Sequence, residues 1–394
     1  MNIGITITQE KPDDSIWTNG IKLNALILAK LLLSSNKNHN VYLINCTSNT
    51  ESTAWDTSKY KMISLEEAKK LVDLIIILGT ALPDSYIKEF KELDENRKVV
   101  AYKCGNHYIL EMEKAIFKEN DPVSNPIWSQ LIDEVWIIPQ QEYHNLHYFH
   151  TFFKKPVRVV PFVWDPEHVQ RVSDEMVLSN KFKPVEYHNY DSKKRISVFE
   201  PNINIIKYSM IPIHITEWTN WDEDVKDNID FISITNGINL MKNNEFNGHV
   251  KHLSIFKDKK IYMESRYNTP YFLAEHTDIV LSHQWGNPLN YAYLDALYFN
   301  YPLVHNADMI QDMGYYYNDF NIELGSLKLK EAINNHDASS EEYNQKNKKL
   351  LERYMSTNKT LIEQYDILLD LLFNTKPNFK VKSGYDWKTN TIDL

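Results

Sequence analysis

The side chains in this sequence best suited to chemistry are concentrated between Ile279 and Asn306, in the run IVLSHQWGNPLNYAYLDALYFNYPLVHN. An apolar run breaks there into a polar turn, passes into a helical pattern and returns to a second apolar run, the order of a βαβ unit. The turn holds His283, Gln284, Trp285 and Asn287, more donors, acceptors and aromatic surface than a change of direction requires. Asn287 before Pro288 predicts a helix start, with Asn as N-cap and Pro at the first helical position. The free N–H groups and positive dipole end of such a start suit a phosphate. Asn287, Tyr291 and Asp295 then follow at one-turn spacing on one broad face, with Asn290 on the first turn. The helical rise from Asn287 to Asp295 is ~12 Å, close to a diphosphate-to-ribose span.

Two cations stand near similar turns. Glu200 and Asn202 follow the apolar strand Ile196–Phe199, and Lys207 is expected just inside the next helix, where it would neutralise a diphosphate leaving group. Arg266 and Tyr267 offer a bidentate clamp and a stacking ring. In the first half, Trp17, Asn19 and Gly20 occupy the first β-α turn, Gly105 and Asn106 with His107 a second strand end, and Trp164 the end of a last strand; these strand-end turns are the candidates for binding a ligand on that half. Asp13, Asp14 and His107 are the candidates for a general base. Each has a bland alternative: a solvated lysine, an asparagine that only caps a helix, a histidine that only braces a turn.

Several chemistries are set aside by absent motifs. The sequence has no H-E-x-x-H, Walker or G-x-S-x-G pattern, and the one-glycine turn at 17–20 is no dinucleotide fingerprint. Asp222, Glu223 and Asp224 come nearest to a metal-binding D-x-D but lie in a polar acidic stretch. Neither a metal nor a resident cofactor is expected.

The elements that must position these residues read as two α/β halves. Apolar runs at 3–8, 41–45, 74–78, 99–103, 134–138 and 157–162 predict strands separated by helix-length segments, with 51–64 looping over an edge. A second set is predicted at 196–199, 231–234, 252–256, 261–263, 279–282 and 303–305. The polar stretch 165–194 is taken as the linker, which gives an N-terminal Rossmann-like domain at 1–185, a C-terminal one at 186–350 and a helical segment and tail at 351–394. From about Lys376 the chain is expected to be poorly tied down.

Composition sets broad limits. At 394 residues the chain has room for two Rossmann-sized domains. Its net charge of −10 argues against duplex nucleic acid as a partner. Cys46 and Cys104 have no disulfide or metal spacing, no apolar run approaches a bilayer span and no basic leader precedes the first strand, so a cytoplasmic location is expected. The 24 Tyr, 16 Phe and 9 Trp fit a carbohydrate or nucleotide cleft.

The segments WTNGI at 17–21, YKCGNHY at 102–108, DEVWIIPQ at 133–140, VRVVPFVWDP at 157–166, VFEPNINIIK at 198–207 and SHQWGNPLNYAYLDALYFNYPLVHN at 282–306 resemble a family defined only as a domain of unknown function and grouped with GT-B glycosyltransferases. The resemblance runs from about residue 3 to 370. It implies a GT-B fold, two doubly wound Rossmann-like domains facing across a cleft, with the nucleotide-sugar donor on the second and most of the acceptor on the first. Many retaining GT-B enzymes carry E-x7-E in the corresponding βαβ unit, the first Glu near the sugar and the second on the donor ribose. Asp295 matches the second position and Asn287 departs from the first. The implied activity is metal-independent transfer of a sugar, hexosyl or related, from a nucleotide-diphosphate sugar to a glycan, lipid-linked or protein acceptor, with retention favoured over inversion. The rivals are a non-catalytic nucleotide- or glycan-binding module on the same scaffold and a glycosyltransferase acting on modified DNA bases.

Overall fold

The computed structural model describes residues 1–14, 20–49, 51–117, 130–179, 182–189, 193–375 and 384–393. The chain forms two compact units. One comprises Met1–Asp165 together with Arg353–Leu394, the other Pro166–Glu352.

The first unit runs β1 (Asn2–Ile7), α1 (Gly20–Leu33), β2 (Asn40–Asn45), β3 (Met62–Ser64), α2 (Leu65–Leu71), β4 (Leu74–Ile77), α3 (Asp84–Glu92), β5 (Lys98–Lys103), α4 (His107–Phe117), β6 (Glu134–Ile137), α5 (Glu142–Phe153) and β7 (Val157–Val159). All pairings are parallel, in the order β3-β2-β1-β4-β5-β6-β7. Parallel strands covered by helices on both faces read as continuous apolar runs, and LIII at β4 is buried at every position. Ile3, Ile5, Ile75, Ile76, Val99, Val100, Val135 and Trp136 have no exposed surface. The 51–64 segment ends in β3, an edge strand, whose Ser64 then caps α2 through a reciprocal capping box with Glu67.

The second unit begins with α6 (Glu167–Leu178) and continues β8 (Lys194–Val198), α7 (Met210–Asn220), β9 (Ile229–Ile234), α8 (Asn244–His252), α9 (Ser254–Lys257), β10 (Ile261–Met263), α10 (Thr269–His276), β11 (Ile279–Leu281), α11 (Tyr291–Tyr298), β12 (Leu303–His305), β13 (Tyr315–Tyr316) and α12 (Ile322–Leu351). Its parallel sheet has the order β10-β9-β8-β11-β12-β13. Ile196, Val198, Ile232, Ile234, Ile279 and Leu281 turn one face toward α7, α8 and α12, where Ile213, Ile215, Val250, Leu329 and Ile333 meet them. The final helix, α13 (Lys359–Asn374), returns to the first unit and buries Leu361, Tyr365, Leu368, Leu369 and Leu372.

Four expectations change. The stretch 252–256 is not a strand; it spans the end of α8 and most of α9, because Phe246 and Val250, one turn apart on α8, and Ile255 on α9 place their side chains in the core. The stretch read as a linker contains α6, and the units divide after Asp165, not near 185. Its apolar positions Val169 and Met176 are buried one helix face apart from Glu175 and Leu178, a pattern too sparse to stand out among charged neighbours. The segment after 351 is no separate body but part of the first unit. Residues 376–383 lie outside the described residues, yet 384–393 are tied down: Asn390 is fully buried, accepts from the Phe162 N–H at 3.1 Å and donates to the Phe162 and Arg353 carbonyls at 2.7 and 2.9 Å.

Candidate functional site

In the second unit the sheet order reverses between β8 and β11, since β9 continues to one side and β12 to the other. Open α/β sheets bind ligands beyond the strand C-termini at such a point. Two loops leave there: 199–209 after β8 and 282–290 after β11.

The two loops are stitched by a buried carboxylate. Glu200, 2% exposed, accepts from the Ser282 hydroxyl and from the His283 N–H at 3.2 Å. Burial raises its pKa, opposed by the nearby Lys207 ammonium and by these hydrogen bonds. The Trp285 N–H adds a bond to the Ile206 carbonyl at 2.8 Å. Lys207 is not on a helix, because α7 starts only at Met210. It sits in the loop, half-buried, with Nζ 5.8 Å from the Tyr293 ring centroid. Burial pushes its pKa down to about 8, and the Glu200 carboxylate works against that shift.

His283 is 3% exposed and lies parallel to Tyr317, with Phe320 edge-on at 4.6 Å. Its proton can be placed by counting donors. Tyr317 donates its single O–H to the Ser282 carbonyl at 3.0 Å, so the 3.0 Å contact between the Tyr317 oxygen and His283 Nδ1 needs the hydrogen on Nδ1. Nε2 is then a bare acceptor, buried and without a hydrogen-bond partner among the described residues. Burial holds the ring pKa at about 4, which keeps it neutral at pH 7. A buried acceptor left unmet costs about 1–3 kcal/mol, and a hydroxyl on a ligand would recover it.

Asn287 does not cap a helix. The helix α11 starts at Tyr291 and its N-cap is Asn290, whose side chain accepts from the Ala292 N–H. Tyr291 and half-buried Asn290 stand at this helix start, while Asn287 belongs to the preceding turn and donates its N–H to the Gln284 side chain at 2.7 Å. The physical reason is Gly286, at φ 68°, which reverses the chain and delays the helix by one turn. The eight-residue helical span from Asn287 to Asp295 is therefore not formed. Asp295 is on α11 and 5% exposed. Gln284 and Asn306 bond one another through Gln284 N–H to Asn306 Oδ1 and Asn306 Nδ2 to the Gln284 carbonyl, both at 2.8 Å, which makes Gln284 a brace between β11 and β12. Trp285 is 43% exposed. Asn202, at φ 54°, spends its amide inside the loop: it donates to the Glu200 and Thr235 carbonyls and accepts from Ser209. Arg266 and Tyr267 are exposed on the loop after β10.

In the first unit Trp17 and Asn19 lie outside the described residues. Gly20 opens α1 on an exposed position. Asn106 is 2% exposed and accepts from Asn145 Nδ2 at 3.0 Å; it braces α4 against α5. Gly105 precedes it in the turn, and the His107 ring packs edge-on to Phe149 with Glu111 at 3.8 Å. Trp164 is 1% exposed, its backbone paired with Tyr354 and Ser356, so its ring is core and presents no stacking surface to an acceptor. Asp14 accepts the N–H groups of Glu10 and Lys11 at 2.8 and 3.1 Å, and the Lys11 bond first of all holds its pKa below the usual carboxylate range. Such a carboxylate is a poor proton acceptor near neutrality.

Sequence reading missed Ser282, Tyr293 and Tyr317. Ser282 and Tyr293 sit in the motif already singled out, but Tyr317 comes from beyond β13, and only the sheet order brings it beside His283.

Among the described residues no group of three or more His, Cys, Asp or Glu is placed to hold a metal ion, and no helix is long and apolar enough to cross a membrane.

Comparison with known proteins places this geometry in context. A family model described as "Protein of unknown function (DUF2827)" matches residues 3–369. No curated protein matches in sequence. Among solved structures the chain is similar to the Candida albicans trehalose-6-phosphate phosphatase N-terminal domain, with a TM-score of 0.59 at 12% identity over 93% of this chain and 96% of that one. It is similar to a glycosyltransferase from Rickettsia africae ESF-5, with a TM-score of 0.56 at 11% identity over 95% and 99%. A third is described as trehalose-6-phosphate from E. coli bound with UDP-2-fluoro glucose, with a TM-score of 0.56 at 11% identity over 96% and 100%. The shared architecture is GT-B.

Proposed function

The chain belongs to the DUF2827 family and carries the GT-B fold, and from these premises we propose that it is a glycosyltransferase using a nucleotide-diphosphate sugar. The observation that carries the reading is the cluster at the switch point of the second sheet. Lys207 there faces the Tyr293 ring beside buried Glu200, and the uncommitted Nε2 of His283 lies on the adjoining loop. A diphosphate leaving group needs positive charge as the glycosidic bond breaks, and in this reading Lys207 supplies it in place of a metal ion. A sugar hydroxyl supplies the hydrogen that His283 Nε2 lacks. The E. coli structure bound with UDP-2-fluoro glucose supports a nucleotide sugar as the donor class.

Retention of the anomeric configuration is the favoured outcome in this reading: Asp14, one of the three base candidates, is committed to backbone N–H groups and its pKa is lowered. The acceptor class is a glycan, lipid-linked or protein hydroxyl. A second reading, a non-catalytic binder, draws on Asn287, an amide where an acid would serve transfer.

The test is calorimetric titration with nucleoside diphosphates, followed by donor turnover in the presence and absence of EDTA. Binding of a diphosphate, reduced at least tenfold in Lys207→Ala, is expected, with turnover insensitive to EDTA. Absence of any diphosphate binding would falsify the proposal. Binding without hydrolysis or transfer would favour the second reading.

A further inference from the structure

Beyond the switch point, the same sheet carries a cavity that the donor cluster does not use. It has a volume of about 260 Å³ and is lined by Phe231, Ser233, Tyr262, Glu264, Tyr267, Phe272 and His276. Phe231 and Ser233 are alternate residues of β9, and Tyr262 pairs with Ser233 in register, so the floor is the sheet face opposite the α7, α8 and α12 core. The walls are aromatic. Tyr267 lies over Phe272 with ring centroids 5.2 Å apart, Phe231 meets Tyr262 edge-on at 5.3 Å, and His276 closes one end at 5.1 Å from Phe272. Tyr262 and Tyr267 are 48% and 41% exposed, large rings held open to solvent at the mouth. Slots of this kind take a flat heteroaromatic ring, which stacks on any π-face whatever its sequence of ring atoms.

One charged group faces the slot. Glu264 follows β10, and its backbone is fixed on both sides: its N–H donates to the Ile234 carbonyl at 2.9 Å, and its own carbonyl accepts from Gly237 at 2.9 Å and Ile238 at 3.3 Å. The Tyr267 hydroxyl donates to Glu264 Oε2 at 3.2 Å and orients the carboxylate. An ionised carboxylate only accepts, with about four lone-pair sites on two oxygens, so one bond from Tyr267 leaves most of its capacity.

We infer that this slot receives the base of the donor nucleotide, and that Glu264 selects guanine. Guanine alone among the common bases shows two adjacent donors on one edge, N1–H and the N2 amino group, which match the two carboxylate oxygens. Adenine and cytosine each set a ring-nitrogen lone pair beside their amino group, and uracil flanks its single N–H with two carbonyls; all three place a lone pair against the carboxylate. On the far edge guanine presents O6 and N7 as acceptors, and besides Tyr267 the lining offers the Ser233 and Tyr262 hydroxyls and the His276 ring as donors. Position agrees. The strands β10 and β8 are two places apart, ~10 Å, and Glu264 and Tyr267, on the loop after β10, leave the same C-terminal edge of the sheet as Lys207 on the loop after β8. A nucleoside diphosphate spans that gap with its base in the slot and its phosphates at Lys207. The assignment rests on the donor-site reading above and goes beyond it, since the E. coli structure with this fold holds a uridine nucleotide.

The experiment is titration of the full chain with GDP, UDP, ADP and CDP, repeated on Glu264→Gln, Tyr267→Ala and Lys207→Ala, each checked for an unchanged melting curve. GDP is expected to bind at least tenfold tighter than the other three. Glu264→Gln, which swaps one acceptor for a donor, should weaken GDP by about tenfold to hundredfold, the usual worth of a bidentate base contact, and leave UDP within twofold. Tyr267→Ala should weaken all four nucleotides, GDP most because it also loses the hydroxyl that orients Glu264, and Lys207→Ala should weaken every diphosphate alike. If UDP, ADP or CDP binds best, or if the GDP preference survives Glu264→Gln, the guanine assignment is overturned while the donor site stands. If no diphosphate binds the unaltered chain, the donor site falls and the guanine assignment with it.

Discussion

Lys207 carries a charge that depends on pH within the working range. With its pKa lowered to about 8 by burial, it is an ammonium below that value and a neutral amine above it. Affinity for a nucleoside diphosphate should therefore fall by roughly an order of magnitude as pH rises from 7 to 9.5, and Lys207→Arg should flatten the dependence because guanidinium stays charged throughout. Calorimetry at several pH values reads both. A second dependence concerns stability. His283, His305 and His336 are each held at about 4 by burial, against about 6.5 for an unfolded chain. Between those values the unfolded chain takes up protons that the folded one refuses, so stability is complete above about pH 6.5 and is lost as pH falls toward 4. At pH 5 each ring costs on the order of 1–2 kcal/mol. The melting midpoint of the second unit should drop by at least about 6 °C from pH 7 to pH 5, and by less in His336→Asn. A midpoint unchanged over that interval would refute the lowered pKa of the three rings. At this scale the sequence singled out His283, Lys207 and Glu200 as polar residues beside apolar strands. It could not show that Asn202 and Gln284 spend their side-chain amides on their own and adjoining loops, because their partners Ser209, Thr235 and Asn306 are chosen by how those loops fold.

Elements show why a cap motif was read one turn too early. Asn287-Pro288 and Asn290 both satisfy the rules for a helix start, and local pattern does not rank them. The left-handed Gly286 decides between them by setting the direction in which the chain leaves β11. Asn290→Ala should then cost about 1 kcal/mol in a denaturant melt, whereas Asn287→Ala should cost less as a cap than Asn290→Ala. The tail makes a stronger case. Asn390 joins Phe162, Arg353 and Tyr385 through its side chain while fully buried, so Asn390→Ala strands several backbone groups at once and should destabilise the first unit by about 3 kcal/mol. A chemical melt of the variant that matches the unaltered chain within 1 kcal/mol would overturn that role. Nothing in KTNTIDL marks Asn390 as core, because Phe162 is 228 and Arg353 37 residues away in sequence and only Tyr385 is near it in the tail.

For the whole molecule, the division of the chain predicts which pieces stand alone. Residues 166–352 are contiguous and hold a closed core, so they should express as a cooperatively folding domain. Residues 1–165 lack α13, which buries five large side chains, and should be unfolded or aggregated unless 353–394 are supplied, visible as absent near-ultraviolet dichroism and restored by co-expression. A sharp thermal transition in 1–165 alone would contradict this. The sequence by itself determined the α/β class, the two Rossmann-like sheets and most of their strands. A strand buried on both faces must be written as an unbroken apolar run, and that run is visible without neighbours. What only the tertiary structure decided is where the units exchange chain and which polar groups meet: α13 crossing back to the first sheet, Tyr317 reaching His283, and Glu264 turning into an aromatic slot. Those outcomes depend on sheet order and loop direction, which bring together residues that no local spacing relates.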